Sequence, residues 1–285
     1  MKIQFENVCF SYNSKLPEPR EVLKNISFEI TEGECIGIIG PSGSGKTTLL
    51  QHFTGLLRPS SGTIYIDHRN IWKKGYSLSE LRRKIGLVFQ FPESQLFEET
   101  VAADVGFGPK ALGLGDEEIS IRIEEALKLV GMENAIIGER SPHQLSEGEK
   151  RRIAIASVLA MAPDVLILDE PTACLDPAGV KLVLQILKKL HQEGITIIIV
   201  THSIEAIVQL VQRIIIMNHG EIFFDGAKEA PFSNEALLTK VDLEPPRLVR
   251  FCKYLQKLEI LSTCNSYSTE DLIEQIKKLK NVTDP

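Results

Sequence analysis

The chain has 285 residues, enough for one large domain with an appendage or for two modest ones. It is 43% hydrophobic and 25% charged, and 32 Lys+Arg against 38 Asp+Glu leave a formal net charge of −6. That acidic balance argues against wrapping nucleic acid, whose binding draws on neutralised phosphates, so no nucleic-acid partner is expected.

From the start of the chain, Met1-Lys2-Ile3-Gln4-Phe5-Glu6 lacks the apolar core of a secretory signal. Ile3 to Phe10 alternates apolar and polar residues, which predicts a half-buried strand. Val22–Ile30 and Thr63–Ile66 read alike, with Pro59-Ser60-Ser61-Gly62 as a turn before the latter. Cys35–Ile39, Val165–Leu168 and Ile195–Val200 are short apolar runs, as expected of strands buried on both faces. Residues from about Pro92 to Met161 lack β-rich runs and read as helical, and Val180–His191 has helical spacing. Alternating strands and helices of this kind predict an α/β fold with a parallel sheet flanked by helices. After about Glu229 the strand signals stop. Pro245-Pro246 breaks the chain, and helices are predicted over Leu248–Leu255 and Glu270–Leu279, the second with Thr269 as N-cap. No run approaches the roughly 18 apolar residues of a membrane span, so the expectation is a soluble protein or one held at a membrane by a partner. Five scattered cysteines (Cys9, Cys35, Cys174, Cys252, Cys264) form no C-x-x-C pair, which suits a reducing cytosol.

Two motifs carry chemistry. Gly40-Pro41-Ser42-Gly43-Ser44-Gly45-Lys46-Thr47 follows an apolar strand and precedes the helical run from Thr48. This is the P-loop pattern G-x-x-x-x-G-K-[ST] in its strand–loop–helix setting. Glycines let successive N–H groups point at phosphate oxygens, and the helix N-terminus adds partial positive charge. Lys46 is placed to reach the β- and γ-phosphates and Thr47 to ligate Mg²⁺. The second motif is Val165-Leu166-Ile167-Leu168 running into Asp169-Glu170. Carboxylates at a strand's carboxyl end lie where open α/β sheets bind ligands. Asp169 is expected to hold Mg²⁺ and Glu170 to orient and polarise the attacking water.

Further along, Leu145-Ser146-Glu147-Gly148-Glu149 resembles the LSGGQ signature of ABC ATPases. Asp169 to Pro177 resembles that family's Walker B and D-loop, Thr201-His202 its switch histidine, Gln90 its Q-loop, and Phe10-Ser11-Tyr12 its aromatic A-loop. The resemblance covers roughly residues 2–228. It implies a P-loop NTPase with a RecA-like sheet, an N-terminal antiparallel β subdomain and an inserted helical subdomain at about 92–161. A C-terminal helical extension would occupy 229–285. It also implies ATP and Mg²⁺ as ligands, with Gln90 sensing the metal and γ-phosphate and His202 contacting the γ-phosphate and water. Tyr12 either stacks on adenine or packs at the rim. Ser146 and Gly148 would contact ATP bound to a second subunit, and Asp176 would lie at that interface. Glu147 departs from the family's Gly. Pointing inward, it would weaken the partner's site; pointing to solvent, it would not.

Phe89 to Val101 and Val105-Gly106-Phe107-Gly108-Pro109 resemble the ATPase subunits of energy-coupling-factor (ECF) importers, the cobalt/vitamin uptake group. The insertion Lys15–Arg20 and the F-P-E-x-Q-L-F form are most similar to the second of two paired ATPases. This implies ATP hydrolysis that energises uptake of a vitamin or transition-metal ion at the cytoplasmic face of the cell membrane. The implied partners are a second ATPase subunit, as homodimer or heterodimer, a transmembrane coupling subunit and a substrate-binding membrane component. Phe91, Leu96 and Phe97 would either face the groove that receives the coupling helix or belong to the core. The competing expectation is a soluble ABC ATPase acting on nucleic acid or the ribosome; the single cassette and the acidic charge weigh against it.

Overall fold

A computed structural model describes residues 1–12, 20–91, 95–133, 136–261 and 266–283, except for the side chains of 235 and 278–283. Residues 15–19 of the insertion, residues 92–94 of the F-P-E-x-Q-L-F segment and Cys264 lie outside the described residues.

The predicted amino-terminal strands are β1 (Ile3–Tyr12) and β2 (Arg20–Ile30), an antiparallel pair that sets Ile3 against Ile30 and Tyr12 against Arg20. Alternation along β1 buries Ile3, Phe5, Val8 and Phe10. β3 (Cys35–Ile39) is buried throughout and leads through the glycine loop into α1 (Lys46–Phe53). β4 (Ser61–Ile66) joins the free edge of β1, and β5 (Arg69–Asn70) closes the small sheet in the order β2-β1-β4-β5. Phe5 stacks on Phe28 and tilts against Phe53 of α1, both at 4.8 Å between ring centroids, which seats the antiparallel sheet on the P-loop helix.

α2 (Leu78–Lys84) is capped by Ser77 and delivers the chain to β6 (Ile85–Val88). The expected helical stretch follows as α3 (Val101–Ala111), α4 (Asp116–Leu129), two 3₁₀ turns and α5 (Glu147–Leu159). Then come β7 (Val165–Asp169), α6 (Pro177–Gln192), β8 (Thr196–Thr201), α7 (Ile204–Ile207), β9 (Arg213–Asn218) and β10 (Glu221–Ala227). The larger sheet runs β10-β9-β3-β8-β7-β6, parallel except for β10, which turns back along β9. Its central strands divide their side chains between two cores. Ile198 and Val200 pack with Phe5 and Phe53 on the antiparallel-sheet side, while Ile197 and Ile199 pack on the helical side with Val105 and Ile155.

Beyond β10 the chain is helical: α8 (Glu229–Ser233), α9 (Glu235–Thr239), α10 (Arg247–Lys257) and α11 (Thr269–Thr283). Ser268, not the predicted Thr269, caps α11, since its hydroxyl accepts from Asp271 N at 3.1 Å. A serine one residue earlier presents the same acceptor one step back along the helix, which local pattern does not resolve. Cys252 and Leu255 of α10 bury against Leu261 and Leu272 in a small core of their own. Cys252 is disulfide-bonded, while Cys9, Cys35 and Cys174 are free. A buried cation anchors the extension. Lys228 Nζ donates to Val208 O at 2.8 Å and lies 4.4 Å from the Tyr267 ring centroid. Burial, reinforced by the Glu229 charge, pushes the Tyr267 phenol up to about 12. Among the described residues, no helix is long and apolar enough to cross a membrane.

Candidate active site

The glycine loop fits only because two of its residues lack side chains. A Cβ on Gly40 would lie 2.2 Å from Met217 O, and Gly45, at φ +104°, would bring one to 3.0 Å from Val22 O. Ser42 and Gly43 are exposed, Pro41 is half-buried, and Ser44, Lys46 and Thr48 are buried. Lys46 folds over its own loop and donates from Nζ to the carbonyls of Gly40 (2.8 Å) and Pro41 (2.9 Å). Burial lowers its pKa, while the charges of Glu170 and Asp169 oppose that shift. The Ser44 hydroxyl is buried with no hydrogen-bond partner among the described residues. A buried polar atom left this way marks a place for a ligand.

A cavity of about 260 Å³ opens beside the loop, lined by Tyr12, Arg20, Val22, Gly43, Gly45, Lys46, Thr47 and Thr48. The hairpin brings Tyr12 there: its hydroxyl lies 3.3 Å from Thr48 Oγ1, and Phe10 meets its ring edge-on. Arg20 is a cavity residue that the motifs did not identify. Its signal was the cross-strand pairing with Tyr12, legible only once the hairpin register is known.

Parallel register assembles the opposite wall. Val88 pairs with Leu168, Asp169 with Val200, and Ile39 with Thr201, so Gln90, Glu170, His202 and Gly40 all emerge at one edge of the sheet. Glu170 is buried at φ +50°. Its Oε2 accepts from Thr201 Oγ1 at 2.7 Å, and its Oε1 accepts from His202 N at 2.8 Å. His202 Nδ1 lies 2.6 Å from the same Oε1, a hydrogen bond in the Nδ1–H tautomer, while the side chain is 60% exposed toward the mouth. Thr201 therefore orients Glu170, a role no motif predicted. Gln90 is half-buried two residues past β6.

Asp169 accepts a 3.3 Å hydrogen bond from Thr47 Oγ1. Burial, then the Glu170 charge, raises its carboxyl above the usual value, against the pull of Thr47 and Lys46. A carboxylate and a hydroxyl are the hard oxygen donors Mg²⁺ prefers, and a cation there would offset the cost of the buried charge. Among the described residues, no cluster of three or more His, Cys, Asp or Glu could hold a metal. Two oxygen donors, Asp169 and Thr47, leave most of an Mg²⁺ shell to substrate phosphates and water.

The signature stands apart. Ser146 is exposed at the N-cap of α5, where its hydroxyl accepts from Glu149 N at 3.3 Å. Glu149 Oε2 in turn accepts from Ser146 N (2.8 Å) and Oγ (2.7 Å), a capping box. Those bonds, from the backbone first and then the hydroxyl, hold the Glu149 carboxyl below its usual value, with Arg140 and Arg152 assisting. Glu147 points to solvent and pairs with Lys150 at 2.8 Å, so its charge does not face the signature turn. Gly148 is half-buried in that turn. Asp176 is exposed and caps α6, accepting from Gly179 N at 2.8 Å.

A groove of about 500 Å³ lies between α2, β6 and the helical layer, lined in part by Leu96, Phe97, Asp104, Phe107 and Met161. Phe97, 61% exposed, packs edge-on to Phe107. Leu96 is 6% exposed and belongs to the core, so it forms floor rather than wall. Phe91 is exposed but outside that lining.

A glycine cradle at a helix N-terminus, facing paired carboxylates across a parallel sheet edge, defines a P-loop nucleotide hydrolase. The family model described as ABC transporter matches residues 23–173. Among curated proteins, the chain is 43% identical to the energy-coupling factor transporter ATP-binding protein EcfA2 of Clostridium tetani, covering 99% of this chain and 98% of that one. It is 46% identical to the EcfA2 of Clostridium perfringens over 90% of each. Among solved structures, CbiO1 of Clostridium perfringens, part of the ABC transporter complex CbiONQ, matches with TM-score 0.74 and 39% identity, covering 88% of this chain and 98% of that one. The dimeric post-hydrolysis state of the ATP-binding cassette MJ0796, bound to ADP and Pi, matches with TM-score 0.71 and 34% identity over 79% and 98%. The chain belongs to the ABC transporter family, as an ATP-hydrolysing subunit of the energy-coupling-factor type.

Proposed function

We propose that this chain binds ATP with Mg²⁺ in the P-loop and uses Glu170 to activate the water that cleaves it, driving uptake of a vitamin or transition-metal ion through a membrane-embedded importer. The observation that carries the reading is the Glu170 carboxylate, buried and held by Thr201 and His202 at the same sheet edge as Lys46 and Asp169. A carboxylate so restrained accepts a proton from water with little reorganisation. Lys46 exchanges its loop carbonyls for phosphate oxygens when ATP enters. Backbone N–H groups from Ser42 to Thr48 cradle the phosphates, Ser44 Oγ gains its missing partner, and Tyr12 stacks on the base. Thr47, Asp169 and Gln90 hold Mg²⁺, which neutralises phosphate charge when bound. His202 orients the water and the γ-phosphate.

Ser146 and Gly148 act on ATP held by a second ATPase subunit, across an interface that includes Asp176. The exposure of Ser146 and the dimeric form of the similar MJ0796 cassette support this arrangement. The groove beside Phe97 receives a helix of a transmembrane coupling subunit, and a separate membrane component binds the solute. The chain sits peripherally on the cytoplasmic face of the membrane, with the cassette over residues 1–228, its helical part at about 92–161, and the extension over 229–285. A soluble ATPase acting on nucleic acid or the ribosome is not favoured, since the similar curated proteins are named as transporter subunits.

In the transporter complex, Glu170→Gln is expected to retain ATP binding, lower this subunit's turnover by roughly a hundredfold or more, and stop solute uptake. Turnover within a few-fold of wild type would remove Glu170 from the role of base.

A further inference from the structure

An arginine is seldom buried without compelling partners. Arg151, on α5, is 4% exposed. Its Nη1 donates to the carbonyl of Glu170 at 3.1 Å and its Nη2 to the carbonyl of Ala173 at 3.2 Å. Those carbonyls bracket the turn leaving β7. Within it, Ala173 N donates to Glu170 O at 3.2 Å, and two non-glycine residues, Glu170 (φ +50°) and Cys174 (φ +61°), adopt the left-handed region. Such a backbone persists only where its surroundings over-determine it. The guanidinium is a planar fork whose donors sit in fixed relation, so it can clasp two carbonyls at once; an ammonium presents a point charge. The clasp comes from outside the turn, from the 13-residue helix whose N-cap is Ser146.

We propose that Arg151 is a positioning residue that ties the signature helix to the backbone of Glu170, so that the aim of the Glu170 carboxylate follows the position of α5. A helix of this length moves as one body. A displacement of its Ser146 end, where a partner's nucleotide would dock, therefore reaches the Glu170 carbonyl through one side chain. Neighbouring turns in the N-terminal half of α5 would then serve different nucleotides, Ser146 one in the partner and Arg151 one in this chain. Arg151 touches neither substrate nor water; it acts through Glu170. The inference rests on the reading of Glu170 as the base.

The test uses the complete transporter complex with this subunit as wild type, Arg151→Met, Arg151→Lys, Glu170→Gln, and Arg151→Met combined with Glu170→Gln. Turnover and KM are measured together with binding of a fluorescent ATP analogue. Arg151→Met is expected to lower kcat by roughly ten- to a hundredfold, the scale of a displaced catalytic group, with ATP affinity within about twofold of wild type. Arg151→Lys, keeping the charge but not the fork, should fall between, and it carries the test if the Met variant does not fold. Added to Glu170→Gln, Arg151→Met should lower turnover no further, because it acts through a carboxylate already gone. A kcat within about twofold of wild type in the Lys and Met variants, or a further loss in the Glu170→Gln background, overturns the proposal. Loss of ATP affinity and melting temperature with kcat per bound nucleotide intact would assign Arg151 a purely structural role and likewise overturn it. Unchanged turnover in Glu170→Gln alone would instead refute the base assignment.

Discussion

Two carboxylates, Glu170 and Glu149, show how differently the two ends of the chemistry are built. Glu170 is buried, fixed by three contacts from the β8 segment, and backed by Arg151. Glu149 is surface-borne and folds onto the N–H and hydroxyl of Ser146, the groups assigned to another subunit's phosphate. The first site is assembled by the fold of this chain, from groups at the ends of β7 and β8 that the sheet register brings together. The second fills its own donors with its own carboxylate, so an incoming phosphate must compete for them. A site completed within one chain is preorganised, whereas a site completed by a partner needs a resting partner of its own, because exposed helix N–H groups are otherwise left to water.

The comparison breaks most severely at the loop. Gly40→Ala would place a Cβ against the Met217 carbonyl, and each residue lies one step beyond the paired Ile39 and Ile216 of the sheet, so neither backbone can readily give way. The variant is expected to lose ATP binding and about 2 kcal/mol or more of stability, read by nucleotide titration and chemical denaturation. Wild-type affinity would mean the loop is looser than its contacts imply.

Ser146→Ala sharpens the contrast at the other end. It should cost about 1 kcal/mol through the lost cap, leave ATP affinity at this chain's own P-loop nearly unchanged, and slow turnover at the partner's site. Glu147→Gly, beside it, should leave own-site affinity within about tenfold, since that charge faces Lys150 and solvent. A larger shift would show that the two ends are not separable in this way.

The smallest effect is electrostatic. The folded-state pKa of Glu149 lies below its ordinary 4.5, so its capping contribution is present above that value and fades as pH falls through the folded value. Glu149→Gln keeps the capping geometry without the titrating charge. The melting-temperature gap between wild type and this variant should be constant from about pH 8 to pH 5 and close below about pH 4.5. A gap that widens on acidification would contradict the bonding seen at Ser146.

Much of this site was legible in the chain because its signals are local. Gly40–Thr47 and Val165–Glu170 carry their roles in consecutive residues, since a phosphate cradle needs adjacent N–H groups and a parallel strand delivers its acids at its end. Apolar runs marked the central strands because both faces of the larger sheet are covered, one by the antiparallel sheet with α1 and the other by the helical layer. Leu96 shows where local signals end: the same apolar letter serves floor and wall, and only packing places it in the core.

The sequence alone determined the P-loop fold, the nucleotide chemistry and the family, because these follow from residue type at fixed spacing. Only the tertiary structure decided which distant groups meet. It set Tyr12 of β1 against Thr48 of α1, brought Arg20 to the cavity, turned Glu147 outward, and clasped the Glu170 turn with Arg151. Such contacts depend on strand register and helix placement, which arise from the sum of many weak packing terms rather than from any one motif.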